Sequence, residues 1–264
     1  MPRARGTVDL SIHASGSLSR LQGLRQSGSL RCLFPRPSSA AVEAVLVNTA
    51  GGIAGGDKFS VSAETRANST LTLTSQAAER AYKARGFETG HMTTQLNVAD
   101  NARINWLPQE TILFEGCNFR RSLRLDLAAS GSALIVEPLV FGRTEMGETL
   151  ADIRFRDRID IRQDGTPLFL DAITLEGDVQ KLLDRPHIAS SSRAIASLVY
   201  VANDAETWLA PVRKLLPAQG GASLLKPNVM VMRMLAADSF ELRKHLIPIL
   251  NLLTHQHLPK CWMI

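Results

Sequence analysis

Hydrophobic and polar residues alternate with a period of two in short stretches from the N-terminus to about residue 175, and turn-forming residues separate the stretches. That is the pattern of an all-β region. Leu71 and Leu73 carry it in "STLTLTS", Met92 to Val98 in "HMTTQLNV", and Leu123, Leu125 and Leu127 in "RSLRLDL". In "ADIRFRDRIDI" the alternation runs through Ile153, Phe155, Ile159 and Ile161, with the arginines and aspartates read as outward, and Asp164-Gly165 then makes a turn. So long a β region needs a closed or stacked architecture to hide its edges. No repeat of fixed period is present, so a regular propeller or a simple solenoid is not indicated.

The last third changes character. "NDAETWLAPVRKLLP" has Asp204 in the capping position, then Trp208, Leu209, Val212, Leu215 and Leu216 at helical spacing before Pro217, which predicts a helix over about 204–216. "ADSFELRKHLIPILNLL" predicts a second over about 239–253, capped by Asp238 or Ser239, with Glu241 in its first turn. Its apolar face runs through Leu242, Leu246, Ile249 and Leu253, and Pro248 is positioned to kink it. "KPNVMVMRML" between them reads as a strand. The pattern therefore leads one to expect a mainly β body, closed or stacked, to about residue 200, followed by a few C-terminal α-helices.

At 264 residues the chain is long enough to bury a real core. Thirty basic residues against 25 acidic ones leave a net charge of +5, and the charges are interspersed apart from short clusters such as Arg120 and Arg121. Nothing in the sequence resembles a nucleic-acid footprint, which needs a concentrated basic face and usually stacking aromatics, so neither a nucleic acid nor a membrane is expected as partner, and an acidic protein partner is an equally good explanation of the charge. The N-terminal "MPRARGTVDL" has no apolar core of a signal peptide and no apolar run reaches membrane-span length, so the cytoplasm is the expected compartment. Cys32, Cys117 and Cys261 lack the paired spacing of a zinc site and read as reduced, structural thiols.

The glycine-rich "LVNTAGGIAGGDKF" invites a phosphate-loop reading. Gly51 and Gly56 have the separation of G-x-x-x-x-G-K-[ST], but Asp57 stands where the lysine belongs and Lys58 is followed by Phe59. A carboxylate there repels a phosphate. The dinucleotide fingerprint fails as well, because Gly51, Gly52, Gly55 and Gly56 come as two doublets. "KFSVSAETR" after it alternates like a strand, whereas a phosphate loop opens a helix. A glycine-rich corner between two strands is the expectation.

Catalytic chemistry is thinly represented. Of the six histidines only His255 and His257 are close in sequence, near the C-terminus and short of further ligands, and no nucleophile elbow is present. Acids are more informative. Glu137 interrupts "SALIVEPLVFG" and Asp171 interrupts "PLFLDAITLEG", two runs that otherwise read as buried strand. Burying an unpaired charge is costly, so either arginines such as Arg143 pair with them, the commoner case, or they face an internal passage. An acid-lined passage suits a hydrated divalent cation, and Asp57 at the glycine corner is a further candidate.

Five collinear stretches together resemble the urease accessory protein family UreD, also called UreH: "LVNTAGGIAGGD" (46–57), "LTSQAAERAYK" (73–83), "WLPQETILFEG" (106–116), "FGRTEMGE" (141–148) and the terminal "LPKCW". Asn48, Gly51, Gly52, Gly55, Gly56, Gln76, Gln109, Gly142, Arg143, Gly147 and Glu148 carry the resemblance. Cys261 departs from it, standing where an aliphatic residue is expected before Trp262, which bears on local packing at the tail. The resemblance implies a single domain over 1–264 with a stacked, β-helix-like two-sheet architecture and a few C-terminal α-helices, and a non-enzymatic scaffold that binds no permanent cofactor. It implies UreF as helical partner, UreG as the protein to which GTP belongs, urease apoprotein as the docking target, and nickel in transit through an internal tunnel. Asp57, Glu137 and Asp171 are then candidate transit acids, with Glu79 of "SQAAERAYK" a fourth, and the apolar faces of the C-terminal helices are candidates for UreF binding. The competing reading is a glycan-binding or glycan-active stacked-strand protein, which needs exposed aromatic residues and a carboxylate pair.

Overall fold

A computed structural model describes residues 3–36 and 39–263. One sheet runs, in spatial order, β14 (Thr166–Gly177), β13 (Ile153–Gln163), β11 (Asn118–Leu127), β8 (Gly90–Val98), β5 (Lys58–Thr65), β1 (Arg5–Ser15) and β2 (Leu18–Gly28). The other runs β16 (Gly220–Lys226), β17 (Val229–Ala236), β15 (Ala194–Val201), β12 (Ser132–Phe141), β9 (Arg103–Leu107), β6 (Thr70–Ser75), β4 (Val42–Asn48) and β3 (Leu30–Leu33). Short strands β10 (Thr111–Leu113) and β7 (Glu79–Ala81) extend it in parallel beside the end of β12. Among the described residues there are three α-helices, α1 (Val179–Leu183), α2 (Ala205–Leu215) and α3 (Ser239–Leu253), besides short 3-10 turns at Thr144–Met146 and Lys260–Met263.

Between β4 and β13 the chain winds from one sheet to the other and back, so β1, β5, β8, β11 and β13 stack in parallel in the first sheet and β4, β6, β9 and β12 in the second. This is the expected two-sheet, β-helix-like stack. Register places Lys58 beside His91, His91 beside Arg120, and Arg120 beside Arg156, steps of 33, 29 and 36 residues. Turns of such unequal length explain why no fixed period is visible in the sequence.

Period-two alternation sends one set of side chains into the space between the sheets: Val8, Leu10 and Ile12 from β1, Phe59, Val61 and Ala63 from β5, and Ile153, Phe155, Ile159 and Ile161 from β13. A second core lies on the outer face of the second sheet. There Leu134, Val136, Leu198, Tyr200, Met230 and Met232 pack under α2 and α3, and Leu242, Leu246, Ile249 and Leu253 are fully buried. The apolar face of α3 is therefore core and not a free docking face. Both long helices fall within a residue or so of their expected limits. Asp238 caps α3 by accepting from the Glu241 amide at 2.8 Å, and the helix continues through Pro248 instead of ending there. Asp204 precedes α2 without capping it, because its carboxylate accepts from the Tyr200 hydroxyl at 2.9 Å and the Trp208 indole at 2.8 Å. Among the described residues, no helix is long and apolar enough to cross a membrane.

Candidate functional site: an ionic triad and a cavity between the sheets

Three inward positions carry charges where the pattern calls for apolar side chains. On β11 Arg121 stands between Phe119 and Leu123, on β13 Asp157 stands between Phe155 and Ile159, and on β12 Glu137 stands between Ile135 and Leu139. Arg121 and Asp157 are direct cross-strand neighbours, which brings Arg121 Nε to 3.1 Å and Nη2 to 2.5 Å of the two Asp157 oxygens. From the facing sheet Glu137 Oε2 forms an ion pair with Arg121 Nη1, while Glu137 Oε1 accepts from the Trp106 indole at 2.7 Å. Side-chain exposure is 6% for Arg121, 3% for Glu137 and 7% for Asp157. One cation thus faces two acids in a medium that screens them poorly. The Glu137 Oε2 contact is close but not aligned as a hydrogen bond, so that oxygen, like Gln109 Nε2, is buried without a hydrogen-bond partner.

Both residues line a cavity of about 240 Å³ between the sheets. Its polar wall includes Asn48, Gln76, Glu79, Gln109, Arg121 and Glu137, its apolar wall Leu46, Met92 and Trp106, and exposed Gln76 and Ala77 stand at one side. Glu137 also borders a crevice of about 10 Å³ that it shares with Asp157, Asp171 and Ser197, and Asp171 and Ser197 line a wider groove reaching Arg233. Glu79, Glu137, Asp157 and Asp171 therefore follow one another from the cavity to the groove, with the Arg121 guanidinium lying between the second and third.

Burial pushes the Glu137 carboxyl up to about 7, reinforced by Asp157 and opposed by Arg121 and the Trp106 hydrogen bond. Burial also raises Glu79, against hydrogen bonds from Asn48 and the Arg80 amide. A carboxyl raised on folding contributes stability that is complete below its unfolded value, ordinarily 4.5, and that is lost as pH rises through about 7. Acids held low by arginines, such as Asp126 and Glu148, lose their contributions on the acid side and leave this window undisturbed. Unfolding free energy from urea titrations is accordingly expected to fall by an amount on the order of 1–3 kcal/mol between mildly acidic and mildly alkaline pH. Glu137→Gln should flatten that slope, and an unchanged slope in the variant would assign the titration to another group.

The sequence-derived candidates separate into two groups. Glu79 and Glu137 meet at the cavity, and Asp171 follows beyond the triad. Asp57 does not join them: buried at the glycine corner, it accepts from the Ala4 amide at 2.8 Å and the Ala54 amide at 2.7 Å, which makes it a lock on that corner. The partner of Glu137 is Arg121, not Arg143, which instead pairs with Glu148 at 2.9 Å in the turn between Gly142 and Gly147. Asp171 is also not embedded in a buried run. Strand β14 is an edge strand, largely exposed, and Asp171 pairs with half-exposed Arg233. Asn48 donates to Glu79 at 3.0 Å and to the Gly52 carbonyl at 3.0 Å, tying the glycine corner to the cavity. Gln109 accepts from Arg243 at 2.6 Å and so joins the cavity wall to α3.

Arg121 and Asp157 are absent from the candidates that the sequence suggested, although a signal was there. Reading Asp157 as outward overlooks that it shares the parity of Phe155 and Ile159. Arg121, noted only as half of a short basic cluster, shares the parity of Phe119 and Leu123. The glycan alternative fares poorly, since Trp106 and Trp262 are buried and Trp208 is engaged by Asp204. Among the described residues no three His, Cys, Asp or Glu side chains group closely enough to hold an ion.

A family model described as UreD urease accessory protein matches residues 4–263. A urease accessory protein UreD of Ruegeria pomeroyi is 51% identical over 97% of this chain and 100% of its own length. Those of Roseobacter denitrificans and Mesorhizobium japonicum are 49% and 37% identical, over 100% and 99% of this chain and 96% and 95% of theirs.

Proposed function

This chain belongs to the UreD family of urease accessory proteins, with a role in urease maturation, and from that premise we propose that it passes nickel through its interior while joining UreF and UreG to urease apoprotein. The observation that carries the reading is the line of acids from the cavity to the groove: Glu79, Glu137, Asp157 and Asp171. Carboxylate oxygens presented one or two at a time bind a hydrated divalent cation without closing a coordination sphere around it, which favours transit over storage. Arg121 occupies the cation position between Glu137 and Asp157. In the isolated chain its charge opposes an incoming ion, so passage requires the guanidinium to move aside, and assembly with partners is the event proposed to move it. GTP hydrolysis stays with UreG, and the glycine corner of this chain has no part in it.

The test uses nickel-supplemented cells carrying a complete urease operon except its UreD gene. Supplying this chain in trans should restore urease activity. Glu137→Gln and Asp171→Asn should co-purify with UreF as the unaltered chain does, yet lower activation roughly tenfold or more. Full activation by both variants would remove the acids from the route, and failure of the unaltered, soluble chain would remove the delivery role.

A further inference from the structure

The solvent face of the first sheet is polarised along its strands. Cross-strand register aligns Arg5, Lys58, His91, Arg120 and Arg156 in one row over five parallel strands, and Lys58, Arg120 and Arg156 are exposed. No acid stands in that row. The next outward row is Thr7, Ser60, Thr93, Ser122 and Arg158, the one after it Asp9, Ser62, Gln95, Arg124 and Asp160, and the fourth Ser11, Glu64, Asn97, Asp126 and Arg162. Positive charge is therefore concentrated at one end of the face, and the remaining rows are close to neutral or balanced. Among the described residues, the ion pair that reaches the row is Glu176 with Arg156, at 2.8 Å. Burial, followed by the charges of Arg120 and Lys58, holds His91 below the ordinary imidazole range.

We propose that this row docks an acidic segment of a partner protein laid across the strands. Strand spacing of 4.7–4.9 Å sets the cations in a line about 19 Å long. Carboxylates three and four apart on a helix repeat at about 5–6 Å, so an acidic helical face offers a matching string of charges. One side of the row is flanked by Thr7, Ser60, Thr93, Ser122 and Arg158 and the other has Arg154 beside Asn118, so the cations form a narrow band, which suits a linear string better than a broad polyanion. A single-stranded nucleic acid calls for stacking platforms in series, whereas Phe87, 87% exposed and 6.0 Å from the Arg154 guanidinium, offers one ring. This docking surface lies outside the nickel route and stands or falls independently of it.

The full-length chain would be titrated with fluorescent poly-L-glutamate and, separately, with duplex DNA, at low and at physiological ionic strength. The unaltered protein should bind poly-L-glutamate with an affinity that falls as salt rises. Lys58→Glu with Arg120→Glu should weaken binding by at least about tenfold, whereas Arg20→Glu with Arg25→Glu, the same change in net charge on exposed β2, should weaken it less than about twofold. Equal losses in the two double variants would mean that overall charge alone attracts the probe and would overturn the proposal. So would tighter binding of DNA than of poly-L-glutamate, or no binding of poly-L-glutamate at low salt.

Discussion

Arg121→Met is expected to destabilise the protein by about 3–5 kcal/mol, because it strands two buried carboxylates. Glu137 and Asp157 share this one guanidinium, and Trp106 and the cavity cannot supply the missing charge. Methionine keeps most of the buried stem's volume, so the loss reports charge more than packing. With Arg121 gone, burial favours the protonated form of Glu137 still more, and the variant's stability should therefore recover as pH falls toward 5, more steeply than the parent's. Adding Glu137→Gln and Asp157→Asn to Arg121→Met removes the stranded charges and should restore about half or more of the loss. Urea unfolding of the three proteins at neutral pH checks this. A single variant within about 1 kcal/mol of the parent would mean that the triad is solvated far more than its exposure indicates.

The same triad marks what was and was not legible in the sequence. Strand periodicity, helix spacing and cap residues sufficed for a mainly β body and the C-terminal helices, because those elements are fixed by local pattern and by burial of one face, whereas the β-helix-like two-sheet stacking came from the family resemblance. Short α1 carries too few residues to show a period. Glu137 stood out because a charge in an otherwise apolar run is conspicuous. Asp157 and Arg121 did not, because they lie in strands whose outward positions are also charged, and only parity separates an inward aspartate from its neighbours. Which arginine meets which acid depends on the register of β11 with β13 and on the facing of two sheets, neither of which is local. Asp171 shows the converse error. Its run is apolar enough to read as core, yet the edge strand is largely exposed and leaves Asp171 partly solvated, since apolar residues are common on protein surfaces.

Four amides and one carboxylate of the glycine corner argue against a phosphate cradle. A phosphate cradle needs free N–H groups around the anion. Here the Ala50 amide donates to the Asn48 side chain, the Gly51 amide to the Asn48 carbonyl, the Ile53 amide to the Arg80 carbonyl and the Ala54 amide to Asp57. Every one of these donors is already answered within the protein, and the Asp57 carboxylate takes a place an anion would need. The glycines serve close approach instead. A Cβ on Gly55 would sit 2.4 Å from the Glu88 carbonyl oxygen and 2.8 Å from Ala84 Cβ, so backbone would have to move. At Gly51 a Cβ would meet nothing within 4 Å, and only its φ of +77° resists a side chain. Gly55→Ala is accordingly expected to cost about 3 kcal/mol and Gly51→Ala about 1 kcal/mol. Chemical denaturation of the two variants compares them directly. If Gly51→Ala proves the more damaging, backbone conformation rather than packing against residues 84 to 88 shapes this corner.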